Sequence, residues 1–166
     1  MTKRIAALLI AVIIPITLIF TGCGSTQLTT QEYYDQLYAD FKEYVADLKE
    51  VSEIQTSAPS VSTLQSQKEK AEEICEKAEK TLDKFTKMNP PSQFADKHKK
   101  LVSAVELEKK FVKATAKIFT AGSESELLEY TNEAEKIFDG ISEEQQFATI
   151  FMELFLEVKS ELEGEQ

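Results

Sequence analysis

Apolar positions recur every three or four residues along most of the chain, which is the spacing of one face of an α-helix. In the first such stretch they are Tyr34, Leu37, Phe41, Tyr44, Leu48 and Val51. Thr29 followed by Glu32 has the spacing of a capping box and predicts where this helix begins, and residues 58–60 predict the turn after it. No segment alternates between apolar and polar residues over a useful length, so no β-sheet is predicted.

Further helices are predicted over 62–88, 92–121, 123–140 and 142–162. The apolar positions of the second are Leu64, Ala71, Ile74, Ala78, Leu82, Phe85 and Met88. Those of the third are Phe94, His98, Leu101, Val105, Val112, Thr115 and Phe119. The last two helices are short, and they form either one broken fourth helix or an extra pair.

Long helices with short connections pack as antiparallel neighbours. The predicted fold class is therefore all-α, an up-and-down bundle of four to five helices over residues 29–163. We expect residues 164–166 to be a frayed tail.

The N-terminal residues have a different pattern. Lys3 and Arg4 precede an uncharged apolar run, residues 5–20, which Pro15 interrupts. The run is shorter than the ~20 residues that a membrane-spanning helix needs. It has the organisation of a secretory signal peptide, predicted over 1–22.

The four residues Phe20-Thr21-Gly22-Cys23 resemble the lipobox of bacterial lipoproteins, in which an apolar residue and two small residues precede Cys. The resemblance implies cleavage after Gly22 and a diacylglycerol on the sulfur of Cys23. It also implies a protein held by lipid on the extracytoplasmic face of the cell membrane, with residues 23–28 as a short tether. Attached acyl chains hold a protein to a bilayer because each buried CH₂ contributes ~0.8 kcal/mol.

Charge and composition exclude several functions. The 166-residue chain has a net charge of −10, and loss of Lys3 and Arg4 with the signal peptide makes it −12. Nucleic-acid binding needs a basic surface, so we predict none. The chain has one His and no Glu-x-x-His unit, so neither a metal site nor a cofactor is predicted.

Cys75 is the cysteine that remains after acylation of Cys23. Acidic residues lie within one helical turn of it, at Glu72, Glu76 and Glu79. Negative charge raises the pKa of a thiol, whereas a catalytic Cys needs a lowered pKa. We therefore interpret Cys75 as structural and predict that the protein is not an enzyme.

Pro90 and Pro91 followed by His98 resemble an arrangement in uncharacterised small helical lipoproteins. We expect His98 to pack on the seam of the third helix and to hydrogen-bond a carbonyl or hydroxyl from the first two helices. A ligand-binding or pH-sensing role for His98 is the alternative. Glu108 interrupts the same helix face, either as a buried polar contact or, as we favour, at the edge of the seam.

Lysines are frequent on the third predicted helix, at Lys97, Lys99, Lys100, Lys109, Lys110 and Lys113. This basic strip could contact an anionic partner, either lipid or a wall polyanion. Alternatively it is a solvated face paired with acids of the first and fifth helices. We favour the second interpretation, because solvated helix faces are common.

The function that these observations favour is a non-enzymatic envelope module that binds another protein or a wall component near the membrane. The alternative is a lipoprotein that binds or senses a small ligand in a pocket near His98. A cavity of several hundred Å³ with polar groups around His98 would favour the ligand. A filled core with an exposed apolar patch would favour the partner.

Overall fold

The computed structural model describes residues 26–58 and 60–164, so Cys23 lies outside the described residues. Six α-helices follow in order: α1 Thr30–Ser57, α2 Val61–Ser66, α3 Lys68–Lys87, α4 Ala95–Ile118, α5 Glu124–Lys136 and α6 Phe147–Gly164. This part of the chain contains no strand, and the all-α fold class is confirmed. None of the helices described is long and apolar enough to cross a membrane.

Contacts between helices show that neighbours in the bundle run antiparallel. On α1 and α3, Glu50 pairs with Lys70 and Asp40 with Lys84, so one helix ascends as the other descends. On α3 and α4 the pairs are Asp83 with Lys109 and Glu79 with Lys113. Phe41 of α1 stacks on Phe151 of α6, and Lys97 of α4 pairs with Glu157 of α6. The four long helices thus form an up-and-down bundle.

The two last helices share the fourth position of this bundle. Both run antiparallel to α4: Glu133 of α5 pairs with Lys117, and Glu157 of α6 pairs with Lys97. Helix α5 therefore lies beside the C-terminal part of α4, and α6 lies beside its N-terminal part. Of the two arrangements that the sequence allowed, the broken fourth helix is the one that forms.

The start of α1 follows the predicted capping box. Thr29 Oγ1 accepts a hydrogen bond from the backbone N–H of Glu32, and the Glu32 carboxylate accepts one from the Thr29 backbone N–H. The buried side of α1, however, is turned slightly from the predicted seam. Tyr33 is fully buried and Tyr34 is half-buried, because α1 packs against both α3 and α6 and each neighbour covers a different stripe.

The second predicted helix is two helices, α2 and α3, separated at Gln67. At the break the Gln67 N–H donates to the Leu64 carbonyl, three residues back, and Ser66 Oγ donates to the Thr63 carbonyl. A side-chain bond of this kind competes with the helix ladder. The prediction of one continuous helix over 62–88 is therefore wrong.

Other helix ends also differ from prediction. A 3₁₀ turn over Ser92–Phe94 precedes α4, and α4 ends at Ile118 rather than near 121. The last predicted helix begins five residues late, because Glu143–Gln145 form a 3₁₀ turn before α6. Gly164 belongs to α6 rather than to a frayed tail, and residues 165–166 lie outside the described residues.

Candidate functional site

A groove of about 740 Å³ runs along α4 beside the joint between α5 and α6. Its apolar lining comes from α4, from the connection after α5 and from α6: Ala104, Leu107, Ile141, Ile150 and Leu154. Leu154 and Ala104 are buried, whereas the other three are half-buried and border the opening. The groove therefore has a buried apolar base, open to solvent along α4.

The two sides of this groove have opposite charges. Helix α4 contributes Lys97, Lys100 and Lys110 together with Ser103 and Glu106. The facing side contributes Glu144 and Glu153. Positions 97, 100, 104, 107 and 110 are three or four residues apart, so they share one side of α4 over about 20 Å. An apolar base between a mostly basic side and an acidic side distinguishes this groove from an ordinary solvated surface.

The groove exists because the fourth helix of the bundle is broken. Residues between α5 and α6 turn away from the helical path at Gly140, whose φ of +76° lies in the left-handed region that glycine adopts without strain. Ile141 and Gln145 of this connection then line the groove. A continuous fourth helix would lack this connection and its contribution to the groove.

His98 is buried between helices rather than in a cavity. Its Nδ1 lies 2.8 Å from the hydroxyl of Tyr33 on α1, and the rings of Tyr33 and His98 meet edge to face. Neither the groove nor the cleft described below is lined by His98. The predicted hydrogen bond to a hydroxyl of the first helix is present, and it is what a structural histidine requires.

Burial lowers the pKa of His98, and the backbone of Phe85 opposes this by favouring the protonated ring. With a neutral ring, Nδ1 accepts the hydrogen bond that Tyr33 donates. The Nε2 atom is buried without a well-aligned hydrogen-bond partner among the described residues. Tyr33 is therefore the principal hydrogen-bond partner of His98.

Glu108 is the second polar group that reaches the bundle interior. It is half-buried, and its carboxylate accepts a hydrogen bond of 2.5 Å from the buried hydroxyl of Tyr44. Burial raises the pKa of Glu108, although the Tyr44 bond opposes that shift. The polar contact is therefore present, and Glu108, which makes it, is half-buried at the border of the core. Tyr44 escaped prediction as a partner because a helical seam does not specify which side chains meet across the bundle.

Cys75 is buried, as the sequence predicted. Burial raises the pKa of its thiol to about 11, and Glu79, Asp47 and Glu72 act in the same direction. The thiolate is therefore scarce at neutral pH, which is the opposite of a nucleophilic cysteine.

Asp40 on α1 is a buried charge that the sequence analysis did not identify. Lys84 Nζ lies 3.4 Å from Asp40 Oδ1 and also bonds Glu43. Burial raises the pKa of Asp40 despite the opposing charge of Lys84. Among the described residues, no group of three or more His, Cys, Asp or Glu side chains could hold a metal ion.

The basic strip divides into paired and unpaired lysines. Lys97 pairs with Glu157 of α6, whereas Lys109 and Lys113 pair with Asp83 and Glu79 of α3. The predicted pairing with acids of the first helix is absent from the described residues. The acids that pair with Lys109 and Lys113 belong to α3 instead. Lys99, Lys100 and Lys110 form no ion pair within that part of the chain, and two of these, Lys100 and Lys110, line the groove.

The segment before α1 is bound to the turn between α3 and α4. Gln27 Nε2 donates to the Pro90 carbonyl at 3.1 Å and to Ser92 Oγ at 2.8 Å. The Leu28 N–H donates to the Asn89 carbonyl at 2.9 Å. Gln27 and Leu28, which we assigned to the tether, are thus part of the bundle. A shallow cleft of about 430 Å³ lies beside them at the end of α6.

Comparisons of the chain with protein-family models, with curated proteins and with solved structures give no match.

Proposed function

We propose that this protein is a bacterial lipoprotein, held to the extracytoplasmic face of the cell membrane by lipid on Cys23, that acts as a non-enzymatic interaction module. Support for the anchor is the lipobox-like sequence Phe20-Thr21-Gly22-Cys23 after an apolar run too short to span a bilayer. The observation that supports the interaction is the groove along α4.

An amphipathic helix of another envelope protein is the partner that this groove fits. Such a helix places its apolar side in the groove and keeps its charged side in water. Acidic residues along one edge would meet Lys100 and Lys110, and basic residues along the other would meet Glu144 and Glu153. The 20 Å length corresponds to a partner helix of about 13 residues. Opposite charges on the two sides also define the direction in which this helix lies.

The alternative function is binding of a small amphiphilic ligand. The observation that favours it is the volume of the groove, which falls in the range of small-molecule sites. In this alternative the ligand binds in the groove, whereas the sequence predicted a pocket near His98.

Site-specific photocrosslinking in native membranes tests the proposal. Ser103 is replaced by a photoreactive phenylalanine analogue in the lipidated protein, with exposed Gln36 of α1 as the matched control position. We expect a protein adduct from position 103 alone, attached within an amphipathic helix of the partner. The double variant Lys100→Glu and Lys110→Glu is expected to lose the adduct, whereas Lys99→Glu, exposed on the same helix, retains it.

A mass increase of less than about 1 kDa at position 103 would instead indicate the small ligand, a size typical of such pockets. Adducts that are equal from positions 36 and 103, or that persist after the double charge reversal, would contradict binding in the groove.

A further inference from the structure

Large apolar side chains are exposed together on one side of the bundle, where α1 packs on α6. Tyr38, Met152 and Leu156 are 53%, 44% and 55% exposed. The rings of Tyr34 and Phe155 lie beside them half-buried, with centroids 4.8 Å apart, and Tyr38 stacks on Phe155 at 6.0 Å. We call these five residues the aromatic ridge. An apolar surface of this kind marks a contact with a partner or a membrane.

The chain enters the bundle close to this ridge. Gln27 is bound to the turn before α4, so four backbone steps separate it from Cys23 and span at most about 14 Å. Tyr34 and Tyr38 lie in the first turns of α1, within about 12 Å of its start. A lipid on Cys23 therefore holds the ridge within a few nanometres of the bilayer surface.

The charges next to the ridge do not oppose contact with a lipid surface. Lys42 and Lys159 follow Tyr38 and Phe155 by one helical turn. The acids at comparable spacing are Asp35 and Glu163, and Glu163 pairs with Lys159. The immediate surroundings of the ridge are thus balanced in charge.

We propose that the aromatic ridge lies on the membrane at the level of the lipid headgroups, so that the bundle rests on the side formed by α1 and α6. This inference depends on the proposed lipid at Cys23. Tyr and other amphipathic aromatic side chains favour the membrane–water interface, and Met and Leu add apolar area that is removed from water there.

This orientation leaves the groove open. On α6, ridge residues 152, 155 and 156 and groove residues 150, 153 and 154 lie on nearly opposite sides, because successive residues are 100° apart. The bundle can therefore bind the membrane with one side and a partner helix with the other.

Tryptophan fluorescence tests the orientation directly, because the chain contains no Trp. The full chains with Tyr38→Trp or Leu156→Trp are expressed in bacteria, purified in detergent and reconstituted into phosphatidylglycerol–phosphatidylethanolamine vesicles with brominated acyl chains. Leu128→Trp is the matched control, because Leu128 is 64% exposed on α5, away from the ridge. We expect bromine to quench the two ridge variants at least twofold and to leave the emission of the control unchanged.

Sedimentation of the same vesicles separates the two proposals. Protein that sediments with the vesicles while its ridge tryptophans are quenched no more than the control overturns the orientation and leaves the anchor standing. Protein that remains in the supernatant overturns both the lipid anchor and the orientation.

Discussion

At the scale of single residues, burial in the bundle favours the neutral forms of its interior polar groups. His98 is kept neutral by burial, and Glu108 is disfavoured as a carboxylate for the same reason. Their effects on stability have opposite signs as the pH falls, because burial lowers the pKa of one group and raises that of the other.

The stability of the wild type relative to His98→Gln is expected to fall as the pH is lowered from 7.5 to 5. The folded-state pKa of His98 lies below its unfolded value of about 6.5, so the unfolded chain binds the proton more readily. The stabilising contribution is complete above pH 6.5 and is lost as the pH falls toward the folded-state pKa. Urea unfolding at several pH values measures this difference. A difference that stays constant with pH would contradict a buried, neutral His98.

Tyr44→Phe is expected to lower the free energy of unfolding by about 1–3 kcal/mol, because the half-buried Glu108 carboxylate loses its donor. Tyr38→Phe, at an exposed hydroxyl, is the matched control and should change it by less than about 0.5 kcal/mol. Urea unfolding at pH 7 measures both. Equal effects of the two variants would argue against the Tyr44–Glu108 bond.

The sequence specified the helical side of these residues better than their contacts. His98 was expected on the seam with a hydroxyl or carbonyl partner, and Tyr33 is that partner. Tyr34, predicted on the seam, is half-buried against the core, and Tyr33 beside it is the fully buried residue. Adjacent positions differ by 100° around the helix, and a helix packed against two neighbours buries a stripe wide enough to include either.

At the scale of elements, the start of α6 is the point where three parts of the bundle meet. Phe147 contacts Phe41 and Tyr44 of α1 and Phe85 of α3. Its burial fixes where the broken fourth helix resumes after the connection that lines the groove. The packing of Phe147 in the core therefore also positions the connection that lines the groove.

Phe147→Ala is expected to lower the free energy of unfolding by about 3–5 kcal/mol, through lost apolar burial and the cavity left behind. Met152→Ala on the exposed side of the same helix is the control, with an expected change below about 0.5 kcal/mol. Chemical denaturation followed by circular dichroism measures both. A loss below about 1 kcal/mol for Phe147→Ala would show that α6 is not held at this point.

The start of α1 was predictable, because Thr29 accepts a hydrogen bond from the residue three positions ahead, as its spacing indicated. The start of α6 was not, since a 3₁₀ turn over Glu143–Gln145 precedes it. At the break at Gln67, Ser66 Oγ bonds the Thr63 carbonyl in competition with the helix, and apolar periodicity does not reveal such a bond.

At the scale of the whole molecule, apolar periodicity was sufficient for the all-α class, and short connections for the antiparallel order. The groove could not be predicted, because it depends on how α5 and α6 divide the fourth position. Both short helices have acceptable seams in either arrangement. The pairing of α4 lysines with acids of α3 could not be predicted either, because the charges along a helix do not specify which neighbouring helix they contact.

The two proposed contacts, with the membrane and with a partner helix, lie on different sides of the whole molecule. Lipid at Cys23 and the aromatic ridge would hold one side of the bundle at the membrane, and the groove would face a partner from another side. The position at the membrane and the orientation of the ridge both depend on acylation at Cys23.

Incorporation of labelled palmitate in cells tests whether Cys23 is acylated. We expect label in the wild type and in Cys75→Ala, the matched control at the other cysteine, and no label in Cys23→Ala, which should also remain at precursor size. Normal labelling of Cys23→Ala, or loss of label in Cys75→Ala, would contradict the lipid anchor.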